Sequence, residues 1–126
     1  MKLLLDTHAL IWWLTDNPRL SPAAREAIAD PDNQVFASAA SGYEIANQQR
    51  LGRLTPRIAD ELPAALRQAT IPVHRLSLKH TIAAGLLPGP HHDFWDRLIM
   101  AQATSDDLSV VTIDPVFRDY GLPVVW

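Results

Sequence analysis

Two short apolar runs, each ending on a single carboxylate, constrain this chain more than any other feature: KLLLD at residues 2–6 and SVVTID at 109–114. Consecutive apolar residues without alternation make a strand that must be buried on both faces. Such strands belong to parallel sheets covered by helices on either side. Between them the chain alternates as that architecture requires. Thr7–Leu14 is helical and very apolar, Asp16-Asn17-Pro18 is a turn, and Ser21 caps a helix over Pro22–Ala29 with proline at its first position. Gln34–Ser38 reads as a strand, and Ala39–Leu51 as a helix closed by Gly52. Thr55-Pro56 opens a helical region to about Gln68 with a break or a restart at Pro63, and Ile71–Leu78 is a third strand of mixed polarity near an edge. Helices over His80–Leu86, Asp93–Ser105 and Pro115–Asp119 alternate with strands at Ser109–Ile113 and Pro123–Trp126. The expectation is a single domain over residues 1–126, a three-layer α/β/α sandwich around a central parallel five-stranded sheet.

Composition narrows the function. There is no cysteine, which excludes a disulfide scaffold and a thiolate zinc site and fits a cytoplasmic protein. The N-terminal leucine run is too short, and too soon interrupted by Asp6, to be a signal peptide or a membrane span. Net charge is −3 with pI near 5.9, so a nucleic-acid function would need a local basic patch or metal ions to offset it.

In an open parallel sheet, functional groups gather beyond the carboxyl ends of the strands. Asp6 follows the first strand and Asp114 the fourth; as neighbours, both would reach one ion. Each also fits a helix cap, Asp114 especially, since it precedes Pro115. Glu44, one turn into the helix after the second strand, and Asp96, in the first turn of the helix after HHDFW, belong to the same rim. Asp93 is the better cap for that last helix. Four carboxylates so placed repel one another unless cations lie between them, and an oxygen-only donor set suits Mg²⁺ or Mn²⁺. Such ions deprotonate water and stabilise the leaving oxygen of a phosphodiester.

The segments LLLDTHALIWWL (3–14), SAASGYEIANQQRLGRL (38–54), HHDFWDRLIMAQA (91–103), VVTID (110–114) and the GLPVVW ending resemble PIN-domain ribonucleases, and within them the VapC-type toxins of toxin–antitoxin pairs. The resemblance spans nearly the whole chain. It implies a metal-dependent endoribonuclease whose acids fall on Asp6, Glu44, Asp96 and Asp114, with Thr112 and Thr7 as supporting hydroxyls. It also implies products with a 5′-phosphate and a 3′-hydroxyl, an RNA substrate, a cognate antitoxin and a homodimer. Phe94-Trp95 departs from the Pro-Phe pair that often precedes the Asp-Arg in this family. Activity should fall in acid as the coupled carboxylates protonate and release metal.

Arg50, Arg53, Arg57 and Arg67 form the densest basic stretch. A solvated helix face is its default reading, and the resemblance makes Arg50 and Arg53, with Arg97 and His92, candidates for RNA contact. No aromatic platform for unpaired bases is evident. Trp12, Trp13 and Leu14 cannot all enter one core from a short helix, so an outward tryptophan is expected to meet a second copy or the antitoxin. Two rival classes are a phosphoacceptor fold and a non-catalytic binding module whose acids are only caps. The first lacks the D-x-D after strand one and a lysine at the last strand.

Overall fold

The computed structural model describes residues 1–54, 57–90 and 93–126. Five strands, β1 (Lys2–Leu5), β2 (Gln34–Ser38), β3 (Val73–His74), β4 (Ser109–Val111) and β5 (Val124–Val125), form one sheet in the order β3-β2-β1-β4-β5. Every pairing is parallel. The helices are α1 (Thr7–Leu14), α2 (Pro22–Ala29), α3 (Ala39–Arg50), α4 (Leu62–Gln68), α5 (Leu78–Leu86), α6 (Phe94–Asp106) and α7 (Val116–Asp119).

The opening leucines explain the layering. Leu3 and Leu5 of β1 pack into one core with Ala9 and Leu10 of α1, Ala24 and Ile28 of α2, Ile45 of α3 and Leu66 of α4. Leu4 points the other way, to Ile99, Met100 and Ala103 of α6 and Phe117 of α7. All three leucines are fully buried, each worth roughly 1.5–3 kcal/mol of transfer free energy. A smaller cluster of Ala40, Ala84, Leu98 and Ala101 joins α3, α5 and α6. The α/β/α sandwich is therefore as the sequence implies.

Several elements differ from expectation at their ends, α3, α6, α7 and β5 by a residue at one or both ends and four others as follows. β3 is two residues, not eight: the Ile71 amide donates to Leu66 O at 2.9 Å, Pro72 has no amide to give, and Ser77 already caps α5. The same cap starts α5 at Leu78 rather than His80. The helical region expected from Thr55 begins only at Leu62, so the restart expected at Pro63 is present: Pro63 lies in the first turn of α4, where its missing amide costs nothing. The expected cap at Thr55-Pro56 lies outside the described residues. β4 ends at Val111, because Thr112 and Asp114 turn towards each other beyond it.

The chain adds strands outward from β1 to β3 and then returns to place β4 on the opposite side of β1. That reversal opens a crevice at the carboxyl ends of β1 and β4, the position where such sheets bind ligands.

Candidate metal centre

The Asp6 amide donates to Val111 O at 3.1 Å, so the tips of β1 and β4 are fastened side by side. Asp6 is 6% exposed and doubly held. Its Oδ1 accepts from the Ala9 amide at 2.8 Å, capping α1, and its Oδ2 accepts from the Thr112 hydroxyl at 2.5 Å. Thr112 also accepts from the Asp114 amide at 3.0 Å, and Asp114 Oδ1 accepts from the Val116 amide at 3.0 Å. Asp114 therefore does close a turn, through Val116 and ahead of α7, while it lines the cleft.

On the opposite wall, Glu44 is hydrogen-bonded by Thr7, whose hydroxyl lies 2.9 Å from that of fully buried Ser41. Asp93 caps α6 as expected, its Oδ1 accepting from the Trp95 and Asp96 amides at 3.0 and 3.2 Å. Asp6, Glu44, Asp93, Asp96 and Asp114 together line one open cavity of about 530 Å³, with Thr7, His8, Trp12, Arg19, Ile113 and Pro115. The four expected acids are brought together, and Asp93 is a fifth that had been assigned only a capping role.

Burial pushes the Asp6 carboxyl above its ordinary range, although Thr112, the Ala9 amide and His8 pull the other way; Asp114 adds to the rise. Burial likewise raises Glu44 against the Thr7 hydrogen bond, and the charges of Asp93 and Asp6 raise it further. These acids are uncomfortable as anions, and a cation among them is the group that relieves both causes. An all-oxygen donor set on two rigid strand tips and two helix starts fits a hard divalent ion.

The remaining sequence candidates separate. Arg53 lines a second hollow that shares Thr7, His8, Trp12, Arg19 and Glu44 with the first, so Arg53 and Arg19 border a continuous groove. Exposed Arg50 donates to Asn47 Oδ1 at 2.7 Å. Arg97 turns to the carbonyls of Ala84 and Leu87 and ties α6 to the end of α5. His92 lies outside the described residues. Trp12 is half-buried between His8 and Trp126, with ring centroids at 5.6 and 5.9 Å, and forms a wall of the cleft. Trp13 is half-buried on the first core. More exposed apolar side chains include Leu78, Ile82 and Leu86, which repeat at four-residue intervals along α5, and Tyr43 and Phe94, which adjoin Glu44 and Asp93 in sequence.

Those last two belong to a ring cluster that was not evident in the sequence. Tyr43 stacks on Trp95 with centroids 4.8 Å apart and planes at 28°, and Phe94 meets Trp95 edge-on at 4.8 Å. The rings come from α3 and α6, some fifty positions apart in sequence, so no local pattern announces them. Arg19 was also missed; its amide donates to Asn17 Oδ1 at 2.9 Å in the turn after α1, and a turn arginine carries no periodic signal.

One further cluster has metal-ligating residue types. His74 Nε2 and His80 Nε2 lie 2.7 and 2.6 Å from Asp106 Oδ2, and Lys79 Nζ lies 3.1 Å from Oδ1. The Nδ1 of His80 accepts from the Ser77 amide at 3.0 Å in a capping box. Its proton is then on Nε2, pointing at Asp106, and that nitrogen has no lone pair for a metal. This cluster is a structural lock.

A profile of the PIN domain family matches residues 3–122, and the chain belongs to that family. It is 31% identical over 132 residues to Ribonuclease VapC22 of Mycobacterium tuberculosis, covering 98% of this chain and 97% of that one. Its fold is similar to that in the crystal structure of VapBC2 from Rickettsia felis bound to a promoter DNA fragment, with TM-score 0.72, 17% identity, and 98% and 97% of the two chains covered. It is also similar to VapBC-1 from nontypeable Haemophilus influenzae, with TM-score 0.66, 16% identity, and 98% and 96% covered. Among the described residues, no helix is long and apolar enough to cross a membrane.

Proposed function

We propose that this chain is a divalent-metal-dependent endoribonuclease, the toxin of a toxin–antitoxin pair, using Mg²⁺ or Mn²⁺. The observation that carries the reading is the convergence of Asp6, Glu44, Asp96 and Asp114 on one cavity at the switch point of the sheet. The relative named as a ribonuclease matches over the full length, which supports RNA as the substrate.

Bound there, a divalent ion supplies a water acidic enough to attack a phosphodiester and a positive charge for the leaving oxygen. The protein's own part is orientation. Thr112 and the Ala9 amide fix the Asp6 carboxylate, Thr7 backed by Ser41 fixes Glu44, and Asp93 sets the first turn of α6 that carries Asp96. Thr7 and Thr112 are positioning residues. Arg19 and Arg53, along the groove that leaves the cleft, are placed to neutralise phosphates of the incoming strand.

The similar structures are toxin–antitoxin complexes, which supports an antitoxin partner. The Leu78–Ile82–Leu86 stripe of α5 is an exposed apolar surface available for a protein contact, either the antitoxin or the second subunit of a homodimer. The function is tested by purifying the protein and following RNA cleavage with Mg²⁺ or Mn²⁺ beside Asp6→Asn and Asp96→Asn. Metal-dependent cleavage lost in both variants supports the reading, and equal behaviour of all three refutes it.

A further inference from the structure

We propose that the ring cluster of Tyr43, Trp95 and Phe94 is the seat of an unpaired nucleobase adjacent to the phosphate being cut. The proposal rests on the ribonuclease reading and adds a contact the carboxylates cannot provide. Tyr43 is 62% exposed and Phe94 59% exposed, so two large aromatic surfaces remain in water although they contribute little to the core. Their position is specific. Tyr43 immediately precedes Glu44, and Phe94 and Trp95 lie between Asp93 and Asp96. The stack therefore bridges the two helices that deliver acids to the cleft, its rings next in sequence to those acids although they do not line the cavity itself; Phe94 lines a separate hollow with Leu76, Thr81 and Gly85.

Charge argues for the same occupant. Five carboxylates line the cleft with one arginine, Arg19, in a protein whose net charge is −3. Apart from the ion held among the acids, a polyanion approaching that wall meets few positive partners close to the cut. Stacking on an aromatic face is independent of charge and accepts any base, since every base presents a π surface. Half-buried Trp95 holds Tyr43 and Phe94 in place. A base laid on these rings would have its phosphate held over the acids.

The test uses Asp96→Asn as a non-cleaving parent and measures, by fluorescence anisotropy in Mg²⁺, its affinity for a labelled 12-nucleotide oligouridylate. A second probe has the same ribose-phosphate backbone without bases. Adding Tyr43→Ala or Phe94→Ala is expected to weaken oligouridylate binding about tenfold, while Tyr43→Phe retains it. The abasic strand should bind weakly and equally to all of them. Unchanged oligouridylate affinity in both alanine variants overturns the platform and assigns the face to a protein partner. An equal loss for the abasic strand, or no binding by the parent, also overturns it. Cleavage by the unsubstituted protein is assayed in parallel: retained cleavage with a failed platform leaves the nuclease reading standing, and absent cleavage removes both.

Discussion

At the start of α6, Asp96 enters a cleft with four other carboxylates, and burial together with like charge raises Asp6 and Glu44 above their usual range. Ten residues on, about 15 Å along the same helix, Asp106 is treated in the opposite way. His74 first, then Lys79 and His80, donate to it and hold its carboxyl well below the usual range despite some desolvation. One end of the helix gathers acids in a cleft where burial and like charge raise Asp6 and Glu44; the other surrounds a single acid with donors. We read the first as the site and the second as a joint, linking the edge strand β3, the start of α5 and the end of α6. Residue type alone does not distinguish them. The donor inventory around each carboxylate does.

The largest effect expected at the cleft end is on catalysis. Asp96→Asn should reduce cleavage by more than about a hundredfold, beyond the range of a supporting residue, with unchanged circular dichroism. Thr112→Val removes the hydroxyl from Asp6 and should raise the metal concentration for half-maximal activity by about 10–100-fold. Recovery of the rate at saturating metal separates this positioning role from a folding defect.

At the lock end the effect should appear in stability. Asp106→Ala leaves the buried His80 Nε2–H without its acceptor and should cost about 1–3 kcal/mol in urea unfolding, with cleavage per folded molecule unchanged. Because the folded-state value of Asp106 is depressed, its contribution is present above the ordinary carboxylate range and is lost only as pH falls through that lower value. The lock should therefore survive mild acid that empties the metal site.

The smallest effect has the opposite sign of pH dependence. Glu44 is raised in the folded state, so without metal its contribution is complete below its unfolded value near 4.5 and is lost as pH rises through the raised value. Metal-free Glu44→Gln should therefore gain on the parent in thermal stability as pH rises above 4.5. Added Mn²⁺ should reverse the ranking.

How much of this was legible in the sequence follows from the range of each interaction. The acids at the tips of β1 and β4 stood out because a fully buried strand has no use for a charge at its end, and the topology needed only the run of leucines. The caps Ser21 and Asp93 act within three residues, and both form. β3 was read too long because its apolar residues answer to different partners: Leu76 packs with α5 and α6 rather than in the sheet. The aromatic cluster, the Arg19 wall and the Asp106 lock join residues from different elements, and only the folded chain displays them. Asp114 does not cap α7, whose N-cap is Pro115; it closes a turn ahead of that helix with one oxygen while it lines the cleft.

The central claim is that a divalent ion binds among Asp6, Glu44, Asp96 and Asp114 rather than at the histidine cluster. Substoichiometric Mn²⁺ added to ¹⁵N-labelled protein measures this directly, since the ion broadens amide resonances around its site. The account predicts broadening at the ends of β1 and β4 and the starts of α3 and α6, with His74, His80 and Asp106 remaining sharp. Broadening centred on Asp106, or none at the strand tips, would contradict it.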